Sequence, residues 1–471
     1  MIPVSPFAAH GQDDATTTTR HAPGYLQRLD VTDRSDYVFY AALMLLPADG
    51  TVLGWYMPFW TPISPWLLML YTALNWRLMP IVYHRFRRFL LFPLVALMLS
   101  MIGWATVAFH PLPALWSFLG LAGALACLAS LEIAVRIKRL DWRHMIRIIL
   151  IAYWIAFAVG VVQFLAIHLD ITFVRDWFSK LMAREYITAD SPWGGNRPQF
   201  LFAEPSYIGM HLYGVLLPLM WMMRGRDRVY VKRLRNLIIV FAAGSILMGA
   251  GVRIIIDTGV ALLIAIIETL NLHDRRIRKR AFITSTAIVL LTAAAALTNG
   301  RVRSIVEQGP LAGDTSSSAR LSQTLTPVIA LIQHPMNLFT GFGAGNIAEA
   351  NRLGTTTAYA MLNGPDAAAP WWVWKNMSPD STFTMSAYTS FITEFGLIGL
   401  TALVVIVISH ISERHLRNRT TICWLILVAY LYVQFEGYAF YALPLFIWGM
   451  KTNTASRSAA PLSAWTSTPC P

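Results

Sequence analysis

Residues 197–235 read RPQFLFAEPSYIGMHLYGVLLPLMWMMRGRDRVYVKRLR. The stretch has three parts. A polar segment carries Arg197 and Glu204, seven residues apart. A largely apolar run follows to Met223, and residues 224–235 then hold six Lys and Arg. An apolar run of this length between a polar entrance and a basic exit is the pattern of a membrane-spanning helix. Pro205 suits the first turn of that helix, where its missing N–H costs nothing. Ser206 is a second possible helix-start residue. The pattern predicts a helix from about Ser206 to Met223.

The same alternation recurs along the 471 residues, which are 56% hydrophobic and 13% charged. A soluble protein carries roughly 25% charge, and so many apolar runs have no place in a water-soluble core. The reading is an all-α, polytopic membrane protein with about twelve transmembrane helices. Besides the helix above, they run from about Tyr37 to Leu53, Pro62 to Trp76, Phe89 to Phe109, Ala114 to Val135 and Ile148 to His168. The later ones run from Asn236 to Gly249, Ile254 to Leu270, Ala281 to Leu297, Ala387 to Ile408, Thr420 to Gln434 and Tyr438 to Met450. Pro47 and Asp49 interrupt the first. Residues 1–35 form a disordered cytoplasmic tail, 36–450 a single transmembrane domain, and 451–471 a second cytoplasmic tail. Cys127, Cys423 and Cys470 offer no disulfide framework. No apolar stretch in the first 35 residues resembles a signal peptide, so the first helix would serve for insertion.

Charge gives the orientation. The net charge is +13, and five basic clusters, at 77–88, 136–147, 224–235, 273–280 and 413–419, hold 23 of the 38 Lys and Arg. With both termini inside, all five are cytoplasmic. This topology accounts for the basic balance and leaves no role for nucleic acid. Two long loops, 169–203 and 298–384, then face outward, the larger between helices nine and ten.

Arginines on the outer side run against that bias. Arg197 stands above helix six, and Arg253 in a turn too short to leave the bilayer. Arg320 opens RLSQTLTPVIALIQ, where Leu321, Leu325, Val328, Ile329 and Ile332 recur at helical spacing. That segment predicts an amphipathic helix lying on the membrane. It ends at His334-Pro335 and a turn, GFGAGN at 341–346, read as tight and backbone-exposing. Guanidinium groups grip phosphate oxygens bidentately, although arginines at an interface also snorkel to lipid head groups. Glu204 either answers the helix dipole or accepts a proton from a hydroxyl. His334 is a helix-end residue or an alternative base, and His168 and His211 are read as structural. The segment WWVWKN, 371–376, docks at the interface or stacks on sugars.

A family resemblance joins these pieces. RPQFLFAEPSYIG at 197–209 resembles the segment that opens the central helix of bacterial O-antigen and exopolysaccharide polymerases of the Wzy type. Arg320 to Gly345 resembles the amphipathic helix and glycine turn of the great outer loop in that superfamily, which includes O-antigen ligases. FITEFGLIGL at 391–400 resembles the start of the helix after that loop. The resemblance implies metal-independent polymerisation of undecaprenyl-diphosphate-linked oligosaccharides at the periplasmic face of the bacterial inner membrane, without a cofactor. Arg197 and Arg320 would hold the diphosphate, with Glu204 or His334 as base. Arg253, Tyr207, Gly343 and Gly345 would contact substrate. A flippase and chain-length or export proteins are further expected partners. The ligase branch carries a histidine eight or nine residues before the Glu of its E-x-G-L-I-G segment. Met385 and Ser386 stand there instead, which favours a polymerase. The alternatives are a ligase that transfers the finished glycan, a twelve-helix secondary transporter and an export scaffold. A transporter expects two similar halves, and no such repeat is visible.

Overall fold

A computed structural model describes residues 33–53, 62–191, 195–269, 275–297, 303, 307, 315–363, 377–380, 382–384, 386–413, 418–434 and 440–455. Most of both tails, the aromatic segment 371–376, Ser381 and Met385 lie outside the described residues. Among the described residues the structure is helical, without a strand. The helices are α1 (Ser35–Met44), α2 (Ile63–Leu74), α3 (Met79–Thr106), α4 (Pro111–Leu131), α5 (Trp142–His168), α6 (Thr172–Leu181), α7 (Tyr207–Met223) and α8 (Arg228–Leu247). They continue as α9 (Val252–Thr269), α10 (Arg275–Leu297), α11 (Thr315–Gln333), α12 (Pro335–Thr340), α13 (Ile347–Asn363), α14 (Ala387–Glu413), α15 (Arg419–Leu431) and α16 (Ala442–Ala455).

Four stretches are long and apolar enough to cross a membrane: Trp76–Thr106, Pro111–Ile137, Trp142–His168 and Ala387–Glu413. Shorter apolar helices are Ile63–Leu74, Tyr207–Met223, Leu321–Gln333 and Arg419–Leu431. By length and composition the chain is a helical membrane protein. The outer faces of the long helices fit that medium. Leu94, Met98 and Met101 on α3, Trp154 and Leu165 on α5, and Val405 and Ile408 on α14 are all exposed.

The helix from Tyr207 to Met223 is buried at every position. It packs against α8, α9, α15 and α16. A helix that is apolar all round belongs inside a bundle, so the stretch that decides the fold also forms its centre. Several basic segments end on a helix cap. Asp141 accepts from the Arg143 N–H at 3.0 Å, Asp227 from Val229 at 2.9 Å and Asn418 from Thr421 at 2.9 Å.

Ion pairs sort the helix ends into two sets. At the basic end Lys138 meets Asp36 at 2.7 Å, Arg85 meets Glu132 at 2.7 Å, Arg88 meets Glu413 at 2.5 Å, and Arg224 meets Glu268. At the other end His110 and Arg352 share Glu349, and Arg184 meets Glu204. Among the described residues, no pair joins one set to the other.

Three expectations need correction. The first helix stops at Met44 rather than Leu53. Pro47 restricts the residue before it, and residues 48–53 turn back to bond the outer loop. Gly50 N–H donates to Leu201 O at 2.8 Å, and Val52 N–H to Leu181 O at 3.0 Å. Secondly, the amphipathic segment does form a helix, but it buries Thr326, Ile329, Ala330 and Leu331 against α13, leaving Leu321 and Ile332 exposed. Gly354 of α13 lies directly against the Thr326 carbonyl.

Thirdly, the glycine turn at 341–346 is buried rather than backbone-exposing. α14 breaks at Gly396 (φ 66°, ψ −176°). The turn bonds the backbone beside that break: Phe342 N–H donates to Thr393 O at 2.7 Å and Gly343 N–H to Glu394 O at 3.0 Å. The Ala344 N–H donates to Ser100 Oγ at 3.1 Å, and the Gly345 N–H to Glu394 Oε1 at 2.7 Å. Gly341 has φ +83°, and a Cβ there would run into the Glu394 carbonyl. Gly341→Ala is therefore expected to lower stability by about 1–3 kcal/mol or more, read as a lower Tm of the detergent-purified protein. An unchanged Tm would mean that the turn is not wedged in this way.

Candidate functional site

The loop that precedes α7 is built from buried side-chain amides. Gln163, in α5, accepts from the backbone N–H groups of Gln199 (3.1 Å) and Phe200 (2.7 Å) and donates to Phe200 O at 2.7 Å. Gln199 accepts from Tyr186 N–H at 2.7 Å and donates to the carbonyls of Arg184 and Phe202. Both glutamines are fully buried. Phe200 takes a left-handed backbone, φ 61°, and its ring presses on Gly160, where a Cβ would collide with it. Away from water each of these backbone groups needs a partner, and the two glutamines supply most of them.

This frame brings Arg184 to Glu204 and sets Arg197 against Tyr186 on the same loop. Arg184 Nη1 lies 2.9 Å from Glu204 Oε1. Ser206 Oγ donates to Glu204 Oε2 at 2.8 Å. Ser206 thus serves the carboxylate and does not cap the helix, which begins after it at Tyr207. The Arg197 N–H donates to Tyr186 O at 2.9 Å, and its guanidinium lies 5.3 Å from the centre of the Tyr186 ring. The Arg184 guanidinium lies 5.5 Å from the Phe383 ring, joining this loop to the segment that leads into α14. Glu204 also stands at the N-terminal end of α7, where the helix dipole favours a carboxylate.

Arg253 occupies the first turn of α9, which packs on α7. Its Nε is 3.4 Å from Asp257 Oδ2, and Tyr430 OH donates to Asp257 Oδ1 at 2.7 Å. Gly209 leaves the space that Asp257 fills; a Cβ there would collide with the carboxylate. Arg253 therefore sits at the same end of the bundle as Glu204, already held by a buried acid. Tyr207 is buried at 2% exposure, and its N–H donates to Glu204 O.

The remaining expected residues lie elsewhere. Gly343 and Gly345 use their N–H groups inside the protein, as described above. His334 is exposed between α11 and α12, with its ring 6.1 Å from that of Phe342. Arg320 falls within α11. His168 is exposed and bonds Phe164 O one turn back.

Two groups escaped the sequence reading. Arg184 is one of ten Lys and Arg in the expected outward segments, and nothing in its spacing singles it out. Buried beneath the loop is a second set: His211 Nε2 lies 3.0 Å from Asp49 Oδ2, and Tyr153 OH lies 2.7 Å from His211 Nδ1. Asp49 Oδ1 accepts from the Ala203 N–H at 3.1 Å, tying this set to the loop backbone. The Tyr441 ring also flanks His211, at 6.0 Å. Asp49, Tyr153 and His211 come from three distant segments, and no spacing signals their meeting.

No protein-family model matches the chain, and no curated protein matches it. A guanidinium paired with a carboxylate, with a further arginine on the same loop and another on the adjoining helix, can hold a phosphate-bearing group beside a hydrogen-bond acceptor.

Two expectations follow. Gln163→Leu removes three bonds to the loop backbone and is expected to lower stability by about 1–3 kcal/mol for each group left unpaired; a Tm equal to that of the wild type would refute the loop scaffold. Burial pushes the Asp49 carboxyl above the usual carboxylate range, against the pull of His211 and the Ala203 N–H. A raised carboxyl contributes its stability fully below about pH 4 and loses it as pH rises through the shifted value. The Tm of the wild type relative to Asp49→Asn, which does not ionise, is therefore expected to fall as pH rises above about 4. A rise would show that the ionised pair with His211 outweighs burial.

Proposed function

We propose that this protein is a membrane glycosyltransferase that polymerises oligosaccharide units carried on a lipid diphosphate, working at the membrane face opposite its basic loops. The observation that carries the reading is the Arg184–Glu204 pair, with Arg197 on the same loop and Arg253 on the adjoining helix end. The motif order at 197–209, 320–345 and 391–400 supports it.

In this reading Arg197 and Arg253 neutralise the diphosphate as it leaves. An acceptor hydroxyl attacks the anomeric carbon on the face opposite the leaving group and inverts it. The new C–O bond forms as the bond to the diphosphate breaks, and the diphosphate departs with the electron pair. Glu204 takes the hydroxyl proton. Arg184 and Ser206 each occupy one carboxylate oxygen, and a carboxylate has further lone pairs for the incoming hydroxyl. Arg184 is thus a positioning residue. Arg320 and His334 keep their expected roles as second diphosphate cation and alternative base.

The test is reconstitution in liposomes with lipid-diphosphate-linked repeat units as sole substrate, the products being resolved by size. A ladder of lipid-linked oligomers is expected, with Arg197→Ala lowering the rate by about 10²–10³-fold at normal protein level and Glu204→Gln nearly abolishing it. Transfer seen only with a separate acceptor would identify a ligase. Neither product from folded protein, or an Arg197→Ala variant of full activity, would overturn the proposal.

A further inference from the structure

At the basic end, far from Glu204, a cavity of about 270 Å³ opens between α3 and α14. Its lining is six consecutive residues of α3, His84 to Phe89, together with His410 and Glu413 of α14. Three arginines, 85, 87 and 88, face one acid, Glu413, so the lining carries an excess of positive charge. Phe86 leaves helical dihedrals (φ −121°, ψ 24°), so α3 kinks at the cavity wall.

The arginines divide the work. Arg85 Nη1 is held by Glu132 at 2.7 Å, while its Nε is buried without a hydrogen-bond partner. Glu132 is shared, because Arg136 (3.5 Å) and Trp448 Nε1 (3.2 Å) also reach it. Arg88 bonds Glu413 across the mouth, where both side chains are about half exposed. Arg87 is exposed. Three guanidinium groups against one carboxylate leave the lining short of an anion.

The apolar surroundings say which kind of anion. Phe86 and Phe89 pack on His410, ring centres 5.9 and 5.3 Å away, and form an apolar back wall. From Arg87 the same face of α3 continues through Leu91, Leu94, Met98 and Met101, four to fourteen residues on, and all are exposed. A basic mouth opening onto an apolar stripe at helical spacing suits a molecule with an anionic phosphate head and a hydrocarbon tail. We propose that this cavity is a binding site for an anionic phospholipid of the leaflet on the basic side. The phosphodiester lies between Arg85, Arg87 and Arg88, and an acyl chain runs along the Leu91–Met101 stripe.

The test uses the full chain purified in detergent, with thermal unfolding as readout. Phosphatidylglycerol added to the micelles is expected to raise the Tm by about 3 °C over an equal amount of phosphatidylcholine. The gain should shrink from about 50 mM to 500 mM salt. The double variant Arg87→Gln, Arg88→Gln removes only exposed charges and leaves the Arg85–Glu132 pair, so it should keep the phosphatidylcholine Tm and lose the gain. No gain from phosphatidylglycerol, or an equal gain in the double variant, would overturn the site. Pyrophosphate producing the shift while phosphatidylglycerol does not would overturn the lipid assignment and give the cavity to a soluble phosphate.

Discussion

Backbone groups that leave a helix inside an apolar medium must find partners within the protein. This constraint shapes both irregular regions of the bundle. Where α14 breaks at Gly396, the turn 341–346 brings its own N–H groups to Thr393 O and Glu394 O. Where the chain passes from α6 to α7, Gln163, Gln199 and Asp49 bond the loop backbone. In each case a buried polar side chain serves two groups: Gln163 accepts the Gln199 and Phe200 N–H groups, and Glu394 accepts the Gly345 N–H and the Ser117 hydroxyl. Removing either would strand several groups at once, which is why such networks are all-or-none.

The same constraint connects structure to the proposed chemistry. A loop bonded by rigid helices holds Arg184 and Glu204 at 2.9 Å without relying on loop packing alone. The carboxylate and the arginines stay ordered beside the N-terminal end of α7, a helix buried on all sides. Preorganised charge of this kind stabilises a developing anion without reorganising at the moment of reaction. The Asp49–His211–Tyr153 set sits directly below and ties the end of the first helix to the same backbone.

The two ends of the bundle handle positive charge differently. At the basic end, most paired arginines and lysines meet acids on neighbouring helices, and these pairs cement the bundle. The cavity beside α3 adds the exposed Arg87 to two such pairs, so its lining holds three arginines against one acid. At the other end Arg184 is held by Glu204, and Arg253 by Asp257.

Periodicity and charge alone determined the helical class, the membrane medium, the basic clusters and the central stretch at 207–223. These properties are local: an apolar run long enough to span, or a cluster of charge, is written in consecutive residues. Arg197 and Glu204 were legible for the same reason, since one short segment carries both. Only the tertiary structure decided that Arg184 pairs with Glu204, that Gly343 and Gly345 bury their N–H groups, and that the first helix stops at Met44. It alone joined Asp49 to His211 across 162 residues. Such contacts depend on how helices pack and on which backbone groups a break leaves unpaired, and neither is a property of any one segment of the chain.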